Sequence, residues 1–176
     1  ARTYEEAWDI YQRYKDNCLG VISDVRFPIN NVEDKGSSAK EGNIPVSEKD
    51  PEAGLKLLRA IRKEDEYLPL IIESSESENR EKAEAEGFHF VDKNSKKMSV
   101  DLRHLLEEHM GFGDFIFRNP ETREEVMRIR SLKELQDNIF KIPRDSMLYH
   151  ISRNHMSRWL SARAIFPVSS FLKGIT

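Results

Sequence analysis

The sequence predicts an α/β protein built on a doubly wound parallel sheet, and three observations carry that reading. Three short apolar runs, Leu19-Gly20-Val21-Ile22-Ser23, Leu68-Pro69-Leu70-Ile71-Ile72 and Phe88-His89-Phe90-Val91, are separated by amphipathic segments of helical period. None of the runs alternates polar with apolar residues, as expected of strands buried on both faces. Each leads into a residue able to do chemistry, Asp24, Ser74 and Lys93, and open parallel sheets gather function at the carboxyl ends of their strands.

Taken in order, the chain opens on a helix from about Tyr4 to Lys15. Thr3 is its N-cap, and Glu6 completes a capping box. The first strand run follows and ends at Asp24. Residues 28–50, with Asn30-Asn31, Gly36-Ser37-Ser38 and Gly42-Asn43, form a polar connection without a period, long for a compact domain. Asp50-Pro51-Glu52 then reads as a cap with Pro at the first helical position. Leu55, Leu57, Leu58 and Ile61 give that helix an apolar face to about Lys63. After the second strand run, Ser77 to Glu86 is a charged helix closed by Gly87. The third strand run and a helix from Val100 to Met110 complete the pattern. Strands alternating with helices imply parallel pairing through crossovers.

The texture changes after Gly111-Phe112-Gly113. Phe115-Ile116-Phe117-Arg118 and Val126-Met127-Arg128-Ile129 flank Asn119-Pro120-Glu121-Thr122 and predict a β-hairpin. Ser131 and Glu134 form a second capping box. Pro143 opens one long helix to about Ile165, with Met147, Leu148, Ile151, Met156, Trp159 and Leu160 on its apolar side. The sequence therefore divides into 1–110, an α/β domain, and 111–176, an α+β extension of hairpin and helices.

The 176 residues carry a formal net charge of −3, 38% hydrophobic and 34% charged residues. That balance gives no broad electrostatic grip on nucleic acid or anionic membrane. No run reaches the roughly 18 apolar residues a bilayer span requires. The single cysteine, Cys18, has no partner for an internal disulfide, which suits a reducing, cytoplasmic setting. The opening residues, without a starting Met, read as an excerpt from a longer protein.

A carboxylate, a hydroxyl and an ammonium converging on one rim make a phosphoryl site, with Asp24 as nucleophile, Ser74 as donor and Lys93 as counter-charge. Taken singly, Asp24 is a turn cap after a buried strand, Ser74 a helix-capping neighbour with Ser75 able to take its part, and Lys93 a surface lysine. Together they carry a family likeness. Asp24-Val25-Arg26-Phe27-Pro28 resembles the phosphoacceptor segment of response-regulator receiver domains of two-component signalling. Pro69-Leu70-Ile71-Ile72-Glu73-Ser74-Ser75 resembles their proline-led strand ending in Ser or Thr. Gly87-Phe88-His89-Phe90-Val91-Asp92-Lys93 resembles their last strand, with Phe90 at the aromatic switch position.

The resemblance implies a flavodoxin-like sheet lacking its first β-α-β portion. It implies a phosphorelay role without enzymatic activity of its own, a histidine kinase or small phosphodonor as partner, and Asp24 as phosphorylated residue. It also implies Mg²⁺ held by Asp24, the Arg26 backbone carbonyl and an acidic pair that this chain does not contain. Lys93 is followed by Asn94 where receivers carry Pro. The alternative is a degenerate receiver kept for protein docking. Gly111-Phe112-Gly113-Asp114-Phe115 and the Leu148–Leu160 segment resemble the amino-terminal regulatory region of bacterial phosphoenolpyruvate-synthase-like proteins, which implies a downstream output or ATP-grasp domain. A homodimer is compatible with either reading.

Other groups read more plainly. His150 and His155 lie five apart, about 140° around one continuous helix, so they are not expected to meet; His104 and His109 share that spacing. Arg153, Arg158 and Arg163 spread around the same helix. Glu73, Glu76 and Glu78 form an acidic loop at the rim, expected to be solvated and to oppose a phosphoryl group.

Overall fold

The computed structural model describes residues 1–28, 49–173 and 175. The expected polar connection lies, from residue 29 to residue 48, outside the described residues. Packing divides the chain into two compact units, Ala1–Cys18 with Ile22–Glu66 and Leu70–Asp92, and Leu19–Val21 with Tyr67–Pro69 and Lys93–Thr176.

The first unit begins with helix α1 (Tyr4–Tyr14), where the Thr3 hydroxyl accepts the Glu6 N–H as the capping box requires. Its Trp8 ring packs against Tyr11, which is buried. Gln12 and Lys15 reach Glu64 at 2.8 and 3.0 Å, tying this segment to the end of helix α2 (Ala53–Glu64). Strands β1 (Val21–Asp24), β4 (Leu70–Ser74) and β5 (His89–Asp92) form a parallel sheet in the order β1-β4-β5. Ile71 pairs with His89, and Ser74 with Asp92. Two-residue strands β2 (Phe27–Pro28) and β3 (Lys49–Asp50) pair antiparallel beside it. Helix α3 (Glu78–Ala85) connects β4 to β5, and Gly87 follows in the left-handed region at φ 73°.

Leu55, Leu58 and Ile61 of α2 and Leu70, Ile71 and Ile72 of β4 are fully buried. The apolar run of the central strand is thus buried on both faces, as predicted, with Glu73 half-buried beyond it. For β1 the expectation of two buried faces fails. Ile22 is 41% exposed, whereas the polar Ser23 is buried. Among the described residues β1 is an edge strand, and Ile22 and Asp24 on one of its faces are exposed. The helix expected to start at Pro51 begins instead at Ala53. Asp50 is taken up in the β2–β3 pair, and its carboxylate accepts from the Glu52 N–H at 2.8 Å and pairs with Lys56 at 2.6 Å.

The first turn of α2 lies directly on the end of β1. Gly54 donates its N–H to the Val25 carbonyl at 2.9 Å. A Cβ at Gly54 would stand 1.9 Å from the Asp24 carbonyl oxygen, far inside van der Waals contact.

The second unit contains helix α4 (Met98–His109) and the hairpin of β6 (Phe115–Arg118) with β7 (Glu125–Ile129). Helices α5 (Leu132–Asn138), α6 (Arg144–Ser152), α7 (His155–Ser161) and α8 (Phe166–Lys173) follow. Ser131 caps α5 by accepting from Glu134 N–H at 3.1 Å. Phe115, Phe117, Ile129, Ile142, Met156, Trp159 and Leu160 form the core. The Trp159 indole donates to the Gly113 carbonyl at 3.0 Å. The Arg163 guanidinium lies 3.8 Å from the Trp159 ring centroid and donates to the carbonyls of Gly111 and Gly113. Among the described residues no helix is long and apolar enough to cross a membrane.

The single helix expected from Pro143 to Ile165 is broken. Asn154 sits at φ 57°, ψ 17° and separates α6 from α7. Asparagine tolerates the left-handed conformation better than other side-chain-bearing residues, and one such residue turns the second segment onto a new axis.

Gly54→Ala tests the close approach at β1. Alanine at an ordinary helix position stabilises by about 1 kcal/mol. Here the clash should reverse the sign and cost about 2 kcal/mol or more, read as a lowered midpoint in chemical denaturation.

Candidate functional site

The rim of the parallel sheet is built by chain direction. β1 and β4 are neighbours, and both run toward the same edge, so the strand-ending residues Asp24 and Ser74 come together on it. Asp24 is exposed, its backbone fixed by the α2 turn and by the Ser23 hydroxyl, which donates to the Asp24 carbonyl at 2.9 Å. A carboxylate on an exposed strand end is accessible to a reagent while its main chain is rigid, the arrangement a nucleophile requires.

Ser74 is buried, and its oxygen accepts two hydrogen bonds, from the Glu76 N–H at 3.1 Å and the Asn79 amide at 2.9 Å. With both bonds arriving at the oxygen, its own hydroxyl proton is given to no acceptor among the described residues. Ser74 rather than Ser75 is therefore the serine built into the network, since Ser75 is exposed.

One participant, Asn79, was not singled out by sequence, and Arg26 was named there only for its backbone carbonyl. Asn79, buried in the first turn of α3, holds Ser74 and reaches the Glu76 carboxylate at 3.4 Å. Arg26, two residues after Asp24, pairs its guanidinium with Glu76 at 2.7 Å. Glu76 is exposed, as expected of a solvated acidic loop, but it is also ion-paired. Its charge is matched by Arg26, and its N–H serves Ser74. Fifty residues separate Arg26 from Glu76, so no local spacing could have shown the pair.

Phe90 lies in β5, half-buried, with the Arg80 guanidinium 4.7 Å from its ring centroid. Lys93 directly follows β5, one residue beyond the register partner of Ser74, is exposed and is grouped with the second unit. Among the described residues no group of three His, Cys, Asp or Glu could hold a metal ion. Asp24 and the Arg26 carbonyl offer Mg²⁺ a single carboxylate, too little for the ion by themselves.

The second unit holds an unexpected pair. His150 and His155 meet at 3.0 Å, Nδ1 to Nδ1, contrary to the separation expected on one helix, because the break at Asn154 folds the chain back. The backbone N–H of Arg118 donates to His150 Nε2 at 3.0 Å. That nitrogen must then be unprotonated, so His150 carries its proton on Nδ1 and donates it to His155 Nδ1. His155 in turn keeps its proton on Nε2. Burial, followed by the nearby charges of Arg118, Arg153 and Arg123, pushes the His150 pKa down to about 4. Burial and Arg158 push that of His155 down to about 3. His104 and His109 do not form such a pair; each stands within 4 Å of Glu108, at 3.7 and 3.8 Å.

Both rings are therefore neutral at pH 7, and the sign of their effect on stability follows. Unfolded histidines take up protons near pH 6.5, whereas these two resist protonation until about pH 4 and below. The stabilisation is complete above pH 6.5 and is lost as the pH falls from there toward 4, by on the order of 3 kcal/mol for each ring. Denaturation midpoints measured between pH 7.5 and 4.5 should show this fall. It should shrink in His155→Gln, whose side-chain carbonyl can accept from His150 without ever becoming charged. A flat profile in the wild-type chain would remove the pair from the account of its stability.

No protein-family model matches the chain, and neither a curated protein nor a solved structure matches it.

Proposed function

We propose that the first unit is a receiver-type regulatory module whose phosphoacceptor is Asp24. The observation that carries this reading is the rim itself. An exposed aspartate ends one parallel strand, and a buried serine with its hydroxyl proton unassigned ends the next. The strand order β1-β4-β5 agrees with the third, fourth and fifth strands of a flavodoxin-like sheet, which supports the expected architecture.

In the proposed reaction an Asp24 carboxylate oxygen attacks the phosphorus of a histidine kinase's phosphohistidine or of a small acyl phosphate. The P–N or P–O bond of the donor breaks, its electron pair leaves with the donor, and Asp24 becomes an aspartyl phosphate. Ser74 then donates its hydroxyl to a phosphoryl oxygen. Arg26 pairs with Glu76 in the unmodified protein and has a second anion to choose once Asp24 is phosphorylated. Exchange of Arg26 from Glu76 to the phosphoryl group would release the Glu76 loop that supports Ser74, a local charge event that biases two conformations. Phe90, under Arg80 on β5, is the aromatic side chain through which the change is read. No step is assigned to Mg²⁺, for which the described residues provide one carboxylate.

A second reading, a degenerate receiver that docks another protein or regulates a phosphoenolpyruvate-synthase-like enzyme, is favoured by that same single carboxylate. One experiment separates the two. The full chain is incubated with acetyl phosphate in excess Mg²⁺ and followed by intact mass and by amide NMR. The phosphorelay reading expects the mass of one phosphoryl group, absent in Asp24→Asn, and shifts at Arg26, Ser74 and Glu76. An unchanged mass in a folded chain, or the same increase in Asp24→Asn, rejects it in favour of docking.

A further inference from the structure

We propose that the second unit carries a separate binding site for a small hydroxylated organic phosphate, in the pocket between the β6–β7 turn and helix α6. The pocket encloses about 410 Å³ and is lined by Arg123 from the turn and by Asp145, Leu148, Tyr149, Ser152 and Arg153 of α6 and its end. That volume falls in the range of small-molecule sites.

The chemistry is set by two guanidinium groups brought to one ring. Arg123 lies 4.8 Å and Arg153 4.2 Å from the Tyr149 ring centroid, and Arg123 also donates to the Tyr149 hydroxyl. Neither arginine forms a salt bridge among the described residues. Some other arginines are matched, such as Arg59 with Glu86 at 2.6 Å and Arg128 with Glu125 at 2.6 Å. Gathering two unmatched cations on one wall costs electrostatic energy that an anion would recover. The same positive field bears on the neighbouring His150, where Arg118, Arg153 and Arg123 add to burial in keeping the ring neutral.

The turn also holds Arg123 in place. Its backbone lies at φ 64°, a left-handed conformation uncommon for arginine. The Asn119 side chain fixes the turn by accepting from the N–H groups of Glu121 and Thr122 at 2.8 and 3.1 Å. The Arg118 guanidinium donates to the Arg123 carbonyl at 3.2 Å.

Two guanidinium groups from different elements suit the three oxygens and double charge of a phosphate monoester. Ser152 lies on the same wall, donating its hydroxyl to the Tyr149 carbonyl at 3.2 Å and accepting from Arg153 at 3.4 Å. Asp145 would repel a bare dianion, but it can accept a hydrogen bond from a hydroxyl on the carbon skeleton. Leu148, half in solvent, offers that skeleton an apolar contact. The combination selects an ester with a hydroxyl over inorganic phosphate.

The test titrates the full chain with glycerol 3-phosphate, inorganic phosphate and glycerol, using calorimetry and NMR of the arginine Nε–Hε groups. Glycerol 3-phosphate is expected to bind saturably and to shift Arg123 and Arg153, whereas glycerol does not bind. Arg123→Gln and Arg153→Gln should each weaken binding at least about tenfold. Asp145→Asn should weaken the ester while leaving inorganic phosphate no worse. The wild-type NMR titration decides even if a variant folds poorly. No saturable binding, shifts confined to other arginines, or inorganic phosphate binding as tightly as the ester each overturns the proposal.

Discussion

The approach of α2 to the end of β1 governs what the first unit can offer a reagent. With the Gly54 Cα pressed against the Asp24 carbonyl, the main chain at the strand end has no room to shift. The Asp24 side chain is exposed, as is Ile22 two residues before it. Fully buried Ala53 and Leu55 flank the glycine, so the close contact is held from inside by the core. Rigidity of the backbone and exposure of the carboxylate thus come from one packing decision.

The neighbouring strand end is built by different means. Ser74 depends on a polar network, Asn79 and Glu76 on one side and Arg26 behind Glu76. A network of charged and amide groups rearranges more readily than a close-packed glycine contact. One strand end is therefore close-packed and the other held by a polar network, a division that the proposed phosphoacceptor role would use.

Much of this was legible in the sequence, and the parts that were not have physical reasons. Strand positions followed from unbroken apolar runs, and the Thr3 and Ser131 caps followed from side-chain chemistry that acts over three residues. The exposed face of β1 was not legible, because an apolar run reports hydrophobicity and not whether a neighbouring layer exists. The helix break at Asn154 was hidden for a related reason. Ile151, Met156, Trp159 and Leu160 fit one continuous helical period, and asparagine's modest helix penalty is overridden or obeyed only in tertiary context. The His150–His155 contact depends on that break and was lost with it. Arg26 and Glu76 were invisible as a pair because ion pairs across strand ends leave no local spacing.

The indole of Trp159, hydrogen-bonded to Gly113 and covered by Arg163, gains another meaning beside the Trp8–Tyr11 contact of α1. The chain has two tryptophans, and they fall one in each compact unit. Trp159 is buried under a cation, and Trp8 is half-buried against a tyrosine, so their emission differs in wavelength and quenching. Removing either leaves an optical signal that belongs to one unit alone. The protein thereby supplies its own pair of reporters for whether its two halves melt together or in sequence.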